Sequence, residues 1–149
     1  MSGGSTAGSV CNGLMEPAEI LTKLTDDVAN GQLDAFCADL GVDPLVLFGS
    51  ARRDVSNAND VDIAYSFESR TPALSHLDVV NAFGERYGDG LDVMPLDQAD
   101  PVARTEALGR GEVLVERTPE KFAELQLLAF GEFEDTRRMR RRVLEVLMR

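Results

Sequence analysis

The chain has 149 residues, an ordinary share of apolar and charged side chains, and a net charge of −11. That length suits one compact domain with a real core, and the acidic balance argues against broad binding to the phosphate backbone of nucleic acid. No apolar run approaches a membrane span and no leader pattern precedes a cleavage site. Cys11 and Cys37 have no metal-ligand spacing, so a reducing, cytoplasmic setting is expected.

Residues 1–14, rich in Gly, Ser and Thr, read as a disordered tail, and residues 15–149 as the domain. Pro17 suits the first position of a helix whose apolar face is Ile20, Leu21, Leu24 and Val28. Gly31 interrupts it. Leu33, Phe36, Cys37 and Leu40 then give a second short helix ending at Gly41. Residues 45–48 are the first expected strand and 61–67 the second. Pro72 is expected to open a third helix, with Leu74, Leu77, Val80 and Phe83 at helical spacing. After the turn Gly88-Asp89-Gly90 comes a third strand over 91–96, which Pro95 either ends early or consigns to a sheet edge. Residues 101–109 read as a helix and Glu112–Glu116 as a short strand. Thr118 and Pro119 are expected to cap a long last helix reaching Met148. These elements predict a small mixed α/β (α+β) domain, a sheet of three to four strands backed by helices.

The chemistry is concentrated in two places. Leu45-Val46-Leu47-Phe48 breaks into Gly49-Ser50, where a turn-permissive residue lets backbone approach a ligand and a helix start would turn amide groups toward it. Ser50 adds a hydroxyl for a phosphate oxygen. Downstream, Asp60-Val61-Asp62 heads the second strand. Alternation puts both carboxylates on one side, where their repulsion calls for a proton or a hard cation such as magnesium. Asp92 interrupts an otherwise apolar strand. A neighbouring strand would set it beside the pair, making a carboxylate trio that can hold two metals and accept a proton. Phosphate cradle and carboxylates together suggest a nucleoside triphosphate bound as its magnesium complex.

Leu47-Phe48-Gly49-Ser50, the Arg52-bearing loop, Asp60-Val61-Asp62-Ile63 and Asp92 resemble the minimal nucleotidyltransferase family, within the polymerase beta superfamily. The resemblance spans about residues 15 to 149. It implies that Gly49 and Ser50 bind the triphosphate of ATP, that Asp60, Asp62 and Asp92 hold two magnesium ions, and that Asp92 completes the catalytic carboxylates. It further implies an antitoxin that moves AMP from ATP to a tyrosine of a HEPN-domain ribonuclease toxin. The loop after Ser50 is one residue shorter than the family pattern, Arg53 stands in place of a glycine, and Asn59 in place of a serine. Two alternatives stay open: transfer to a small molecule such as an antibiotic, and an antitoxin that acts by binding alone.

Arg52 and Arg53 lie within reach of a triphosphate, or are ordinary loop arginines. His76 is expected at the surface and Tyr65 and Tyr87 in packing. The arginines at 137–142 read as a solvated helix face or a docking patch. No Walker-type phosphate loop or dinucleotide fingerprint is present.

Overall fold

The computed structural model describes residues 15–54 and 58–148, without the side chains at 53, 132–136, 140 and 143. The expected tail, with Cys11, lies outside the described residues, as does the middle of the loop before Asp60.

In chain order the elements are α1 (Pro17–Ala29), α2 (Gln32–Leu40), β1 (Val42–Phe48), a single turn α3 (Ser50–Arg53), β2 (Val61–Phe67) and α4 (His76–Tyr87). Then come β3 (Leu91–Pro95), a 3-10 turn, α5 (Pro101–Arg110), β4 (Glu112–Val115) and the long α6 (Lys121–Leu147). The strands form one sheet in the order β3-β2-β1-β4, with β1 antiparallel to both β2 and β4 and β2 parallel to β3. The sheet is therefore mixed, as the sequence predicts, and β3 is an edge, in keeping with Pro95.

Alternation along the strands divides the core. Leu45 and Leu47, Val61, Ile63 and Tyr65 face α1, α2 and α4, where Ile20, Leu24, Leu33, Val79 and Phe83 bury against them. On the other face Ala64, Phe48 and Met94 pack under Leu96, Ala107, Leu108 and Ala129 of the α5–α6 layer. The central strand β1 is covered on both faces, which is why its run is apolar without alternation.

Several expected details change. Val28 is 40 % exposed and Asp27 is buried in its place, because Asp27 accepts hydrogen bonds from Tyr87 Oη at 2.6 Å and Arg86 Nη2 at 3.1 Å. The α4 helix begins at His76, not Pro72, because Ser75 and Asp78 form a reciprocal capping box. Its buried face is consequently Val79, Phe83 and Tyr87, while Leu77 is 66 % exposed. His76 is half-buried rather than superficial, with Nδ1 2.8 Å from Tyr65 Oη. Thr118 does not cap α6, whose N-cap is Glu120 without a side-chain bond. Instead, Thr118 donates through N and Oγ1 to the buried Asp43, at 3.0 and 2.7 Å, and ties the entrance of α6 to the start of β1. No helix among the described residues is long and apolar enough to cross a membrane.

Candidate functional site

The parallel pairing of β2 with β3 sets Asp62 directly opposite Asp92. Asp62 and Asp92 stand two residues before Ala64 and Met94 and share their face, so both project from the α5–α6 side of the sheet, at the end where β1 closes with Phe48. Asp60 precedes β2 and completes the group. Carboxylate oxygens of Asp60, Asp62 and Asp92 lie within 4.8 Å of one another. The expected juxtaposition is thus produced by strand register alone.

Three carboxylates this close leave a large uncompensated charge. The carboxyl of Asp62, partly buried, is pushed up to about 6, first by desolvation and then by the neighbouring charges of Asp92 and Asp60. Such a group is short of a cation. An all-oxygen donor set from three side chains suits a hard divalent ion and is a poor match for soft metals.

Gly49 follows β1 with φ +85, a conformation L side chains rarely adopt. A Cβ at this position would also land on Asp62 Oδ2. Glycine is therefore required twice, by the turn and by the approach of backbone to the carboxylates. Ser50 is exposed and opens the single turn α3, whose first amides have no partners within the helix. Arg52 is exposed on that turn. The side chain of Arg53 falls outside the described residues.

Beside Gly49 lies a cleft of about 330 Å³, lined by Gly49, Arg52, Glu106, Gly109, Arg110 and Gly111. Sequence reasoning did not single out Glu106 and Arg110. Their signal was the i, i+4 spacing that puts both on one face of α5, visible only as an ordinary polar face until the helix is laid beside Gly49. Gly111 permits that contact, since a Cβ there would overlap Ala107 O and Val46 Cγ1.

A mixed four-stranded sheet with helices on both faces, a glycine turn after the first strand and carboxylates from the next two strands define a nucleotidyltransferase. The chain belongs to the polymerase beta nucleotidyltransferase family, which matches residues 32–120, from α2 to the entrance of α6. Solved structures agree on the fold. One is a toxin–antitoxin with AMP-PNP, similar at a TM-score of 0.62 and 16% identity, over 80% of this chain and 98% of that one. Another is a tri-AMPylated HEPN toxin of Shewanella oneidensis in complex with its MNT antitoxin, at a TM-score of 0.58 and 14% identity, over 80% and 95%. A MntA–HepT toxin–antitoxin pair gives 0.56 and 15% identity, over 80% and 96%. No curated protein sequence matches the chain.

Proposed function

We propose that this chain is the antitoxin of a toxin–antitoxin pair and transfers AMP from ATP to a tyrosine hydroxyl of a HEPN-domain toxin. The observation that carries the reading is the Asp60, Asp62 and Asp92 cluster at the mouth of a glycine turn, within the family's fold. Solved toxin–antitoxin structures of the same fold include one with AMP-PNP and one with an AMPylated toxin, which supports the nucleotide and the acceptor.

In this reading Asp60 and Asp62, joined by Asp92, hold magnesium, which when bound neutralises triphosphate charge and acidifies the attacking hydroxyl. Gly49 and Ser50 offer backbone amides and a hydroxyl to the phosphates, and Arg52 and Arg110 flank the adjoining cleft with positive charge. The tyrosine oxygen attacks the α-phosphorus and the bond from that phosphorus to the bridging oxygen of the β-phosphate breaks. Pyrophosphate leaves, and Asp92, exposed on the edge strand, takes the hydroxyl proton. The rate advantage comes from alignment and charge neutralisation rather than covalent chemistry by the protein.

Intact mass spectrometry of the HEPN partner, after incubation with this protein, magnesium and ATP, tests the proposal. We expect mass gains in AMP steps with the wild type and none with Asp62→Asn. A stable complex without mass gain would replace the enzyme with a contact-only antitoxin. AMP transfer to aminoglycosides, with none to protein, would replace the acceptor with a small molecule.

A further inference from the structure

The α6 helix outruns the domain. It starts at the end of the sheet remote from the carboxylates, where Thr118 is bonded to Asp43, and runs back along α5. Gln126 Nε2 donates to Leu108 O at 2.8 Å, and a Cβ on Gly109 would meet the ring of Phe130 at 3.5 Å. Gly109 lines the cleft beside Gly49, so by Phe130 the helix has reached the site end of the molecule. Seventeen further residues, 131 to 147, continue past it, about 25 Å at 1.5 Å per residue. Beyond Ala129 no described side chain is buried.

This arm carries an exposed apolar stripe and differs in charge from everything before it. Met139, Val146 and Leu147, at i, i+7 and i+8, share one side and are 68%, 62% and 74% exposed. Arg142, three residues after Met139 and four before Val146, borders this stripe; Arg137, Arg138 and Arg141 lie farther round the helix, with Leu144 among them, and all of these are exposed. Residues 136–149 hold six arginines and one glutamate, a net of +5, which leaves −16 on residues 1–135.

We propose that the arm is the docking element for the acceptor protein, laying its apolar stripe into an apolar groove whose rim carries carboxylates. The proposal rests on the protein-acceptor reading above and adds to it where that acceptor is gripped. An acidic partner is repelled by the body and drawn to the arm, and the arm leaves the domain at the end where the acceptor hydroxyl must arrive. A helix set into a groove by residues at this spacing is a recurrent mode of protein recognition. A second copy of this chain offers the same negative charge, but its exposed apolar side chains outside α6 are scattered. Outside α6 and its cap residue Met148, the exposed large apolar side chains among the described residues are Val28, Leu77 and Val102, one to an element. An anionic membrane, which basic amphipathic helices also suit, would repel the −16 body.

The test uses the full chain and a HEPN-domain protein, with calorimetry for the complex and AMP transfer measured against acceptor concentration. Met139→Glu combined with Leu147→Glu is expected to weaken the complex at least 10-fold and raise KM for the acceptor equally, with kcat and thermal melting unchanged. Leu77→Glu, an equally exposed position on α4, should change neither. Arg141→Glu with Arg142→Glu should weaken binding at low salt and flatten its salt dependence. Unchanged affinity in the stripe variant overturns the proposal, as does a wild-type chain with no measurable affinity for the protein. Loss of self-association in place of acceptor binding, or stripe-dependent sedimentation with phosphatidylserine vesicles, overturns it in favour of a second copy or a membrane. Arm-dependent binding without AMP transfer leaves the docking standing and removes the transfer reading; transfer indifferent to the arm does the reverse.

Discussion

Asp62 is the side chain whose neighbours most determine its behaviour. Its carboxyl titrates near 6 in the folded chain against 3.8 for the ordinary group. Between these values the folded state holds a proton that the unfolded state has lost, so stability falls as pH rises from about 4 to about 6 and stays low above it. Metal-free protein should therefore melt at a higher temperature at pH 5 than at pH 7.5. Magnesium should raise the melting temperature at pH 7.5 and do so less at pH 5, where it must displace the proton. Asp62→Asn should raise the metal-free melting temperature at pH 7.5 and abolish the magnesium response; thermal scans across pH with and without the ion check all three. A magnesium effect that persists in Asp62→Asn would remove this residue from the cation site. At the same scale Cys37 is a packing residue: burial pushes its thiol up to about 12, which fits its place on the buried face of α2 rather than reactivity.

At the scale of elements, the cleft exists because α5 comes down on the end of β1 at Gly111. The backbone there has φ −76, so the requirement for glycine is one of space and not of conformation. Gly111→Ala would push its methyl into Ala107 O and Val46 Cγ1, both fixed by secondary structure. We expect a loss of about 1–3 kcal/mol in chemical denaturation, the range for overpacking. We also expect weaker nucleotide binding by titration, since Arg110 and Glu106 move with the helix. Nucleotide affinity that survives the substitution would argue that the α5 wall of the cleft is not used. The pairing of α1 with α4 follows a similar logic. Asp27, Tyr87 and Arg86 form one hydrogen-bonded group, and Gln32 Oε1 accepts from the same guanidinium at 3.1 Å. Satisfied partners explain how an aspartate replaces an apolar residue on the buried face of α1.

For the molecule as a whole, charge is the dominant feature. A body of −16 repels itself at low ionic strength, and a Debye length of about 8–10 Å near physiological salt screens only part of that repulsion. The melting temperature should rise by a few degrees from 20 to 500 mM sodium chloride, measured by calorimetry without magnesium. A fall over the same range would mean that favourable ion pairs outweigh the repulsion. Arg86–Asp27 at 3.1 Å and Arg117–Glu68 at 2.6 Å are the pairs of interest, and Glu68 is largely exposed. The exposed pair contributes no more than about 1 kcal/mol, so the rise is expected to prevail.

The sequence by itself determined the strand at 61–67, the strand at 91–95 to within one residue, the short helices closed by glycine and the set of three aspartates, and it offered the edge position of β3 as one of two readings of Pro95. Each is written in local chemistry: alternation, a proline that cannot donate, a glycine at positive φ, a charge inside an apolar run. That Asp92 comes beside the pair is expected from an adjacent strand; the parallel direction and the register that sets it opposite Asp62 come from the structure. Tertiary structure decided the rest. His76 reads as a surface residue until Tyr65, 11 positions away, supplies a partner, and Val28 reads as part of the buried face of α1 until Tyr87, 60 positions from Asp27, draws Asp27 inward instead. Thr118 reads as a helix cap until Asp43 claims its donors. Glu106 and Arg110 become cleft residues only when α5 is laid against Gly49, and the arginines of α6 become a projecting arm only when the sheet ends before the helix does. In each case the deciding contact joins residues distant in sequence, and neither local pattern carries information about the other.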